Sequence, residues 1–256
     1  MDYNELFGVI KPKSNYSTPT FTIIYGNIGC GKTVLATTCS ELGQTVLINF
    51  ENRISHIDET ENLRIVPTSA GGFREDKACT YEQFLNFLSY IEQEQIKFKY
   101  LIIDTLDEMF VKFMLGMLRK GEITDKYYGR PEIYNKIWEI TKKIKDLGIS
   151  IIATCHQKQN EEIDLLLTDA LKSKINMTVD NVFYLKTADD DNRVLTLKPT
   201  GTIVGKLTVK KEQYNDIPLE LWTINDENTI LNLNSYISGV SSDNLHIGKI
   251  LYRNNK

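Results

Sequence analysis

The sequence predicts an α/β fold: a mostly parallel sheet flanked by helices, with antiparallel strands added near the C-terminus. Three observations lead there. Short apolar runs of strand length alternate with longer stretches whose apolar residues recur at helical spacing. A glycine-rich segment, Gly26-Asn27-Ile28-Gly29-Cys30-Gly31-Lys32-Thr33, lies between one such strand and one such helix. The apolar run Tyr100-Leu101-Ile102-Ile103 ends on a carboxylate, Asp104. Parallel strands with helices on both faces are buried on both sides, which is why these runs are continuously apolar.

Each element follows in turn. Residues 1–19 are polar with two prolines and read as an N-terminal extension across the surface. Thr20 to Tyr25, rich in β-branched and aromatic side chains, is the first strand. Thr33 to Leu42 is the helix opened by the glycine loop, with Gly43 placed to close it. Thr45 to Phe50 is the next strand, ending at Glu51, and Leu63 to Val66 is a shorter third. Tyr81, Phe84, Leu85, Leu88 and Ile91 share one face of a helix from Tyr81 to Gln95. After the Tyr100–Asp104 strand, Met109, Phe110, Phe113, Met114 and Met117 mark another helix. The polar stretch Lys120 to Pro131 separates it from a helix carrying Ile133, Ile137, Ile140, Ile144 and Leu147. Ile149 to Thr154 is a buried strand. Past Val179 the period changes: Val182–Lys186 and Val194–Lys198 form a hairpin, and Ile203–Lys210 adds a strand. The organisation is an extension over 1–19, a core over 20–227 and a C-terminal tail over 228–256, read as a helix or a loose arm.

Composition narrows the class. With 41% hydrophobic and 25% charged residues among 256, the chain has the make-up of an ordinary soluble globule. No apolar run approaches the ~18 residues that span a bilayer, and the first residues lack the basic-then-apolar layout of a secretion signal. A cytoplasmic protein without membrane contact is expected. Cys30, Cys39, Cys79 and Cys155 are scattered, and His56, His156 and His246 show no ligand spacing, so no protein-only metal site is expected. A net charge of −4 argues against indiscriminate coating of nucleic acid but leaves room for a local basic groove.

The chemistry starts at the glycine loop. Its glycines let successive backbone N–H groups converge on phosphate at a helix N-terminus, where the helix dipole also favours an anion. Gly26 through Thr33 therefore reads as a Walker A loop for ATP, with Lys32 on the β- and γ-phosphates and Thr33 on Mg²⁺. Asp104, at the end of its strand, reads as the Walker B carboxylate that holds Mg²⁺ through its water shell; the plain alternative is a helix-capping aspartate. The residue after it is Thr105. Glu51 ends the strand after the loop's helix, a position similar to that of the glutamate in RecA-type ATPases, and this likeness makes it the candidate base that orients the attacking water, against a simple loop role. Asp107 and Glu108 compete for that role, or are first-turn helix acids that favour the dipole. His156 and Gln157, at the end of the Ser150–Gln157 run, are candidate γ-phosphate sensors; a buried, hydrogen-bonded histidine is the alternative. Lys126, Tyr127, Tyr128 and Arg130 mix cations with aromatics as single-strand binders do, or form a solvated loop with half-packed tyrosines.

Taken in order, Tyr25 through Thr33, Glu51, Leu101-Ile102-Ile103-Asp104-Thr105 and Ala153-Thr154-Cys155-His156 resemble the phage RecA-like ATPases of the Sak type, over roughly Thr20 to Leu221. The resemblance implies a RecA-like P-loop NTPase core that hydrolyses ATP with Mg²⁺. It implies action on single-stranded DNA in phage homologous recombination or annealing, in a homo-oligomer and alongside a single-strand-binding protein. Relatives carry a Lys-x-Arg element aimed at the neighbouring subunit's nucleotide. Lys210 fills its first place, but Glu212 stands where the arginine belongs. An ATP-driven switch or helicase loader without DNA contact, and a small-molecule kinase, are the competing readings.

Overall fold

The computed structural model describes residues 19–53, 57, 60–66, 78–93, 97–158, 163–188, 193–208 and 220–223. The strands are β1 (Phe21–Gly26), β2 (Thr45–Asn49), β3 (Leu63–Val66), β4 (Tyr100–Asp104), β5 (Ser150–His156), β6 (Asn181–Thr187), β7 (Arg193–Thr196) and β8 (Glu220–Thr223). The helices are α1 (Lys32–Thr37), α2 (Tyr81–Glu92), α3 (Leu106–Lys120), α4 (Arg130–Asp146) and α5 (Asp169–Ile175). All strands join one sheet in the order β3-β2-β4-β5-β1-β6-β7-β8. Neighbours from β3 to β6 run parallel, and β6-β7 and β7-β8 are antiparallel. The expected parallel core with antiparallel strands at its C-terminal side is what forms.

Alternate strand residues feed two cores, as a pleat requires. Ile23, Tyr25, Val46, Ile48, Leu101, Ile103, Ile151 and Ala153 pack under α2 to α5 on one face. Ile24, Leu47, Ile102, Ile152 and Phe183 pack on the other face with Leu35, Ala36 and Cys39 from α1 and the turn after it. All four cysteines are free and buried. Among the described residues, no helix is long and apolar enough to cross a membrane.

Two expectations are corrected. The helix after the glycine loop ends at Thr37 and tightens into a 3₁₀ turn over Thr38–Leu42. There the hydroxyls of Thr37 and Thr38 donate back to the Val34 and Leu35 carbonyls, competing with the α ladder. Ile203 to Lys210 does not form a strand where it is described. Ile203 and Lys206 make isolated bridges to Ile163 and Val182, in a stretch interrupted by Pro199, Gly201 and Gly205. Lys210 and Glu212, residues 1–18 and the tail lie outside the described residues.

One helix takes an unusual course. Gly116 of α3 abuts Tyr81: a Cβ there would stand 2.3 Å from the Tyr81 Cβ. Tyr81 also donates its hydroxyl to Glu122 at 2.8 Å. Two residues earlier, the Cys79 amide bonds to the Asn49 carbonyl, at the carboxyl end of β2, at 2.6 Å. The far end of α3 is thus held at the carboxyl edge of the sheet, and the loop over residues 121–129 stays at that edge.

Candidate nucleotide site

The site forms at the carboxyl ends of β1, β2, β4 and β5, where open parallel sheets bind their ligands. Gly26 is in register with His156, and Asn49 with Asp104. Because β5 lies between β1 and β4, the end of one strand separates the glycine loop from the acidic strand.

The loop is shaped by two demands. Gly26 admits no side chain, since a Cβ would meet the Leu185 carbonyl oxygen of β6 at 2.0 Å. Gly31 caps α1 in the left-handed region with φ 93°, which glycine adopts without cost. The Cys30 amide bonds to the Asn27 carbonyl at 3.4 Å and the Lys32 amide to the Cys30 sulfur, while the amides of Gly29, Gly31 and Thr33 meet no backbone acceptor in the loop among the described residues. Orphan amides converging at a helix start make an anion cradle. Lys32 is buried, and its ammonium donates to the Gly26 and Asn27 carbonyls at 3.1 and 2.8 Å. Asn27, Ile28 and Gly29 are exposed at the rim. The Arg193 guanidinium stands 3.6 Å from where a Gly31 Cβ would lie, a cation at the loop that the motif reading did not find.

Asp104 is 1% exposed and accepts from the hydroxyls of Thr33 at 2.9 Å and Thr154 at 2.5 Å. Burial raises its carboxyl pKa, and the two hydroxyl bonds oppose the rise. Among the described residues, no three His, Cys, Asp or Glu side chains cluster to enclose an ion. One hydroxyl beside one carboxylate is a donor set that suits Mg²⁺, which completes its shell with water and phosphate oxygens.

Glu51 is delivered by the turn that ends β2. The amides of Phe50 and Glu51 both bond to the Asp104 carbonyl, at 2.6 and 3.2 Å, and Phe50 packs edge-on against Phe84. The Glu51 carboxylate lies 3.4 Å from His156 Nε2 and 3.5 Å from Arg53. On the other side of the ring, Nδ1 is 2.7 Å from Asp107. The bond from His156 holds Glu51 below the usual carboxylate range. Hydrogen bonds to Asp107 and Glu51 push His156 up to about 9. A cavity of about 640 Å³ opens over these groups, lined by Asn27, Ile28, Glu51, Asp107, His156 and Gln157.

The structure thus brings together Lys32, Thr33, Asp104, Glu51 and His156. Gln157 is half-buried beside them, its side-chain oxygen without a hydrogen-bond partner among the described residues. Lys126, Tyr127, Tyr128 and Arg130 are exposed on the separate loop at the end of α3. The Lys126 ammonium and the Arg130 guanidinium both stand over the Tyr127 ring, 5.4 and 5.1 Å from its centre. Asp125 ties the loop by accepting from the Tyr127 and Tyr128 amides.

A phosphate cradle followed by a helix, facing a buried strand-end aspartate, defines a P-loop nucleotide-binding protein. A family model described as AAA domain matches residues 18–209 of the 256. The chain belongs to that family of nucleotide-dependent ATPases. No curated protein matches it.

Proposed function

We propose that the chain is a Mg²⁺-dependent ATPase of the RecA type that acts on single-stranded DNA and assists phage recombination or strand annealing. The observation that carries the hydrolytic reading is the placement of Glu51. Its amide is fixed on the Asp104 carbonyl, and its carboxylate faces the cavity beside His156. A carboxylate kept ionised there can orient water and accept its proton. Lys32 and the loop amides hold the phosphates, and Thr33 and Asp104 hold the ion's oxygen shell. Bound Mg²⁺ supplies neutralisation of phosphate charge. In this reading His156, in register with the first loop glycine, senses the terminal phosphate.

The DNA part rests on the resemblance to the Sak type and on the 121–129 loop, whose cations and exposed tyrosines share the carboxyl edge with the nucleotide site. The working unit is a homo-oligomer, with a single-strand-binding protein as its companion. The test is hydrolysis with and without single-stranded DNA. Glu51→Gln should keep nucleotide affinity and lose ~10²-fold or more in rate. If Glu108→Gln has that phenotype and Glu51→Gln does not, the RecA-type reading is wrong. If no single strand binds with ATP at low salt, the switch reading takes its place.

A further inference from the structure

Asp107 occupies the first turn of α3, but it does no capping there. That duty falls to Thr105, whose hydroxyl accepts from the Glu108 amide at 3.4 Å. Both Asp107 oxygens instead reach His156 on another element, and the neighbouring Cys155 thiol and the Asp107 amide also bond the carboxylate. Oδ1 accepts from the His156 backbone amide at 3.1 Å, and Oδ2 lies 2.7 Å from the His156 Nδ1. The Asp107 side chain is 12% exposed and that of His156 13%. Two bonds to one residue, one to backbone and one to ring, fix both the position and the rotation of the imidazole. Its remaining nitrogen, Nε2, then points at Glu51 Oε1, 3.4 Å away.

We infer that Asp107 is a positioning residue for hydrolysis: it holds the His156 ring so that Nε2 is aimed at Glu51, and so fixes the carboxylate that orients water. The inference rests on the reading of Glu51 given above. A first-turn acid kept only for the helix dipole would face solvent, whereas the Asp107 side chain is 12% exposed and turned to β5. Burying this carboxylate works against ionisation, yet the bonds and charge of His156 outweigh burial and leave its pKa lowered. Such an arrangement has a physical use. A histidine's orientation is set by the hydrogen bond its other nitrogen makes.

The test combines Asp107→Ala, Asp107→Asn and His156→Asn, singly and as the Asp107→Ala/His156→Asn pair. Nucleotide affinity should be unchanged in the two single Asp107 variants, and kcat of Asp107→Ala should fall on the order of tenfold or more. Added to His156→Asn, the Asp107 change should cost nothing further, because residues acting through one another are not additive. Asp107→Asn covers the case in which alanine prevents folding. It keeps an acceptor for the His156 amide but presents an amide N–H to Nδ1, so kcat should fall with the thermal midpoint nearly retained. A readout independent of hydrolysis is the ring nitrogen spectrum. The chain has three histidines, so the signals lost in His156→Asn identify that ring. Its hydrogen-bonded Nδ1 proton should disappear in Asp107→Ala. An unchanged kcat, a full additive loss, or a persistent Nδ1 proton would overturn the inference. If the ring signals and the non-additivity behave as stated while Glu51→Gln hydrolyses normally, the Glu51 reading fails and the coupling of Asp107 to His156 stands.

Discussion

At the scale of single residues, His156 gives a pH dependence whose sign follows from its partners. Its folded pKa of about 9 exceeds the ordinary 6.5, so it contributes stability that is complete below 6.5 and lost as pH rises through 9. Glu51 and Asp107, both lowered, act in the opposite sense: their contribution is present above the usual carboxylate range and lost in acid. The thermal midpoint should therefore decline from neutral pH to above 9, and His156→Asn should flatten that decline. A midpoint independent of pH across this window in wild type would remove the imidazolium from the site. Lys32, Thr33 and Asp104 were legible because spacing within one loop and one strand carries them. For Asp107 the sequence offers only a rival base or a first-turn acid; its tie to His156 is not legible, since the partner lies 49 positions away. Arg193 was hidden for the same reason: only the folded hairpin brings it to Gly31.

Among the elements, α3 is the one whose packing departs most from what periodicity conveys. Its apolar stripe was plain in the sequence, but its course along the carboxyl edge depends on Gly116 lying against Tyr81. Gly116→Ala gains roughly 1 kcal/mol of helix propensity. It also forces a methyl to within 2.3 Å of the Tyr81 Cβ, an overpacking that costs typically 1–3 kcal/mol or more because neither backbone can retreat cheaply. The expected net effect is destabilisation, measured as a lower denaturant midpoint; a raised midpoint would show that α3 is free to shift. The strands from β1 to β5 were readable within a residue or two, as continuous apolar runs between turn residues. The composition of Thr38–Leu42 is helix-like, and the Thr37 and Thr38 hydroxyl back-bonds that accompany its tightening into a 3₁₀ turn leave no trace in periodicity.

For the whole molecule, the alternation of strands and helices was legible and the order of the strands was not. Placing β5 between β1 and β4 needs crossovers that no local pattern records. That order nevertheless builds the nucleotide site, since it collects the ends of β1, β2, β4 and β5 on one edge. If the exposed segment around Tyr127 and Tyr128 carries DNA, replacing both tyrosines by alanine should weaken single-strand binding by ~1–3 kcal/mol per lost stack. Replacing Lys126 and Arg130 should flatten its salt dependence, because fewer counterions are released. Anisotropy with ATP present measures both, and unchanged affinity in the tyrosine variant would move the DNA path elsewhere.

The burial of the four cysteines has a practical consequence. Burial raises every one of these thiols, Cys39 and Cys79 to about 12, and even Cys30 inside the phosphate loop is 2% exposed. Thiolate is the reactive form, so the native chain resists alkylation and mild oxidants. A cysteine introduced at Tyr128, 87% exposed, would thus take a fluorophore selectively with the four natural thiols left in place.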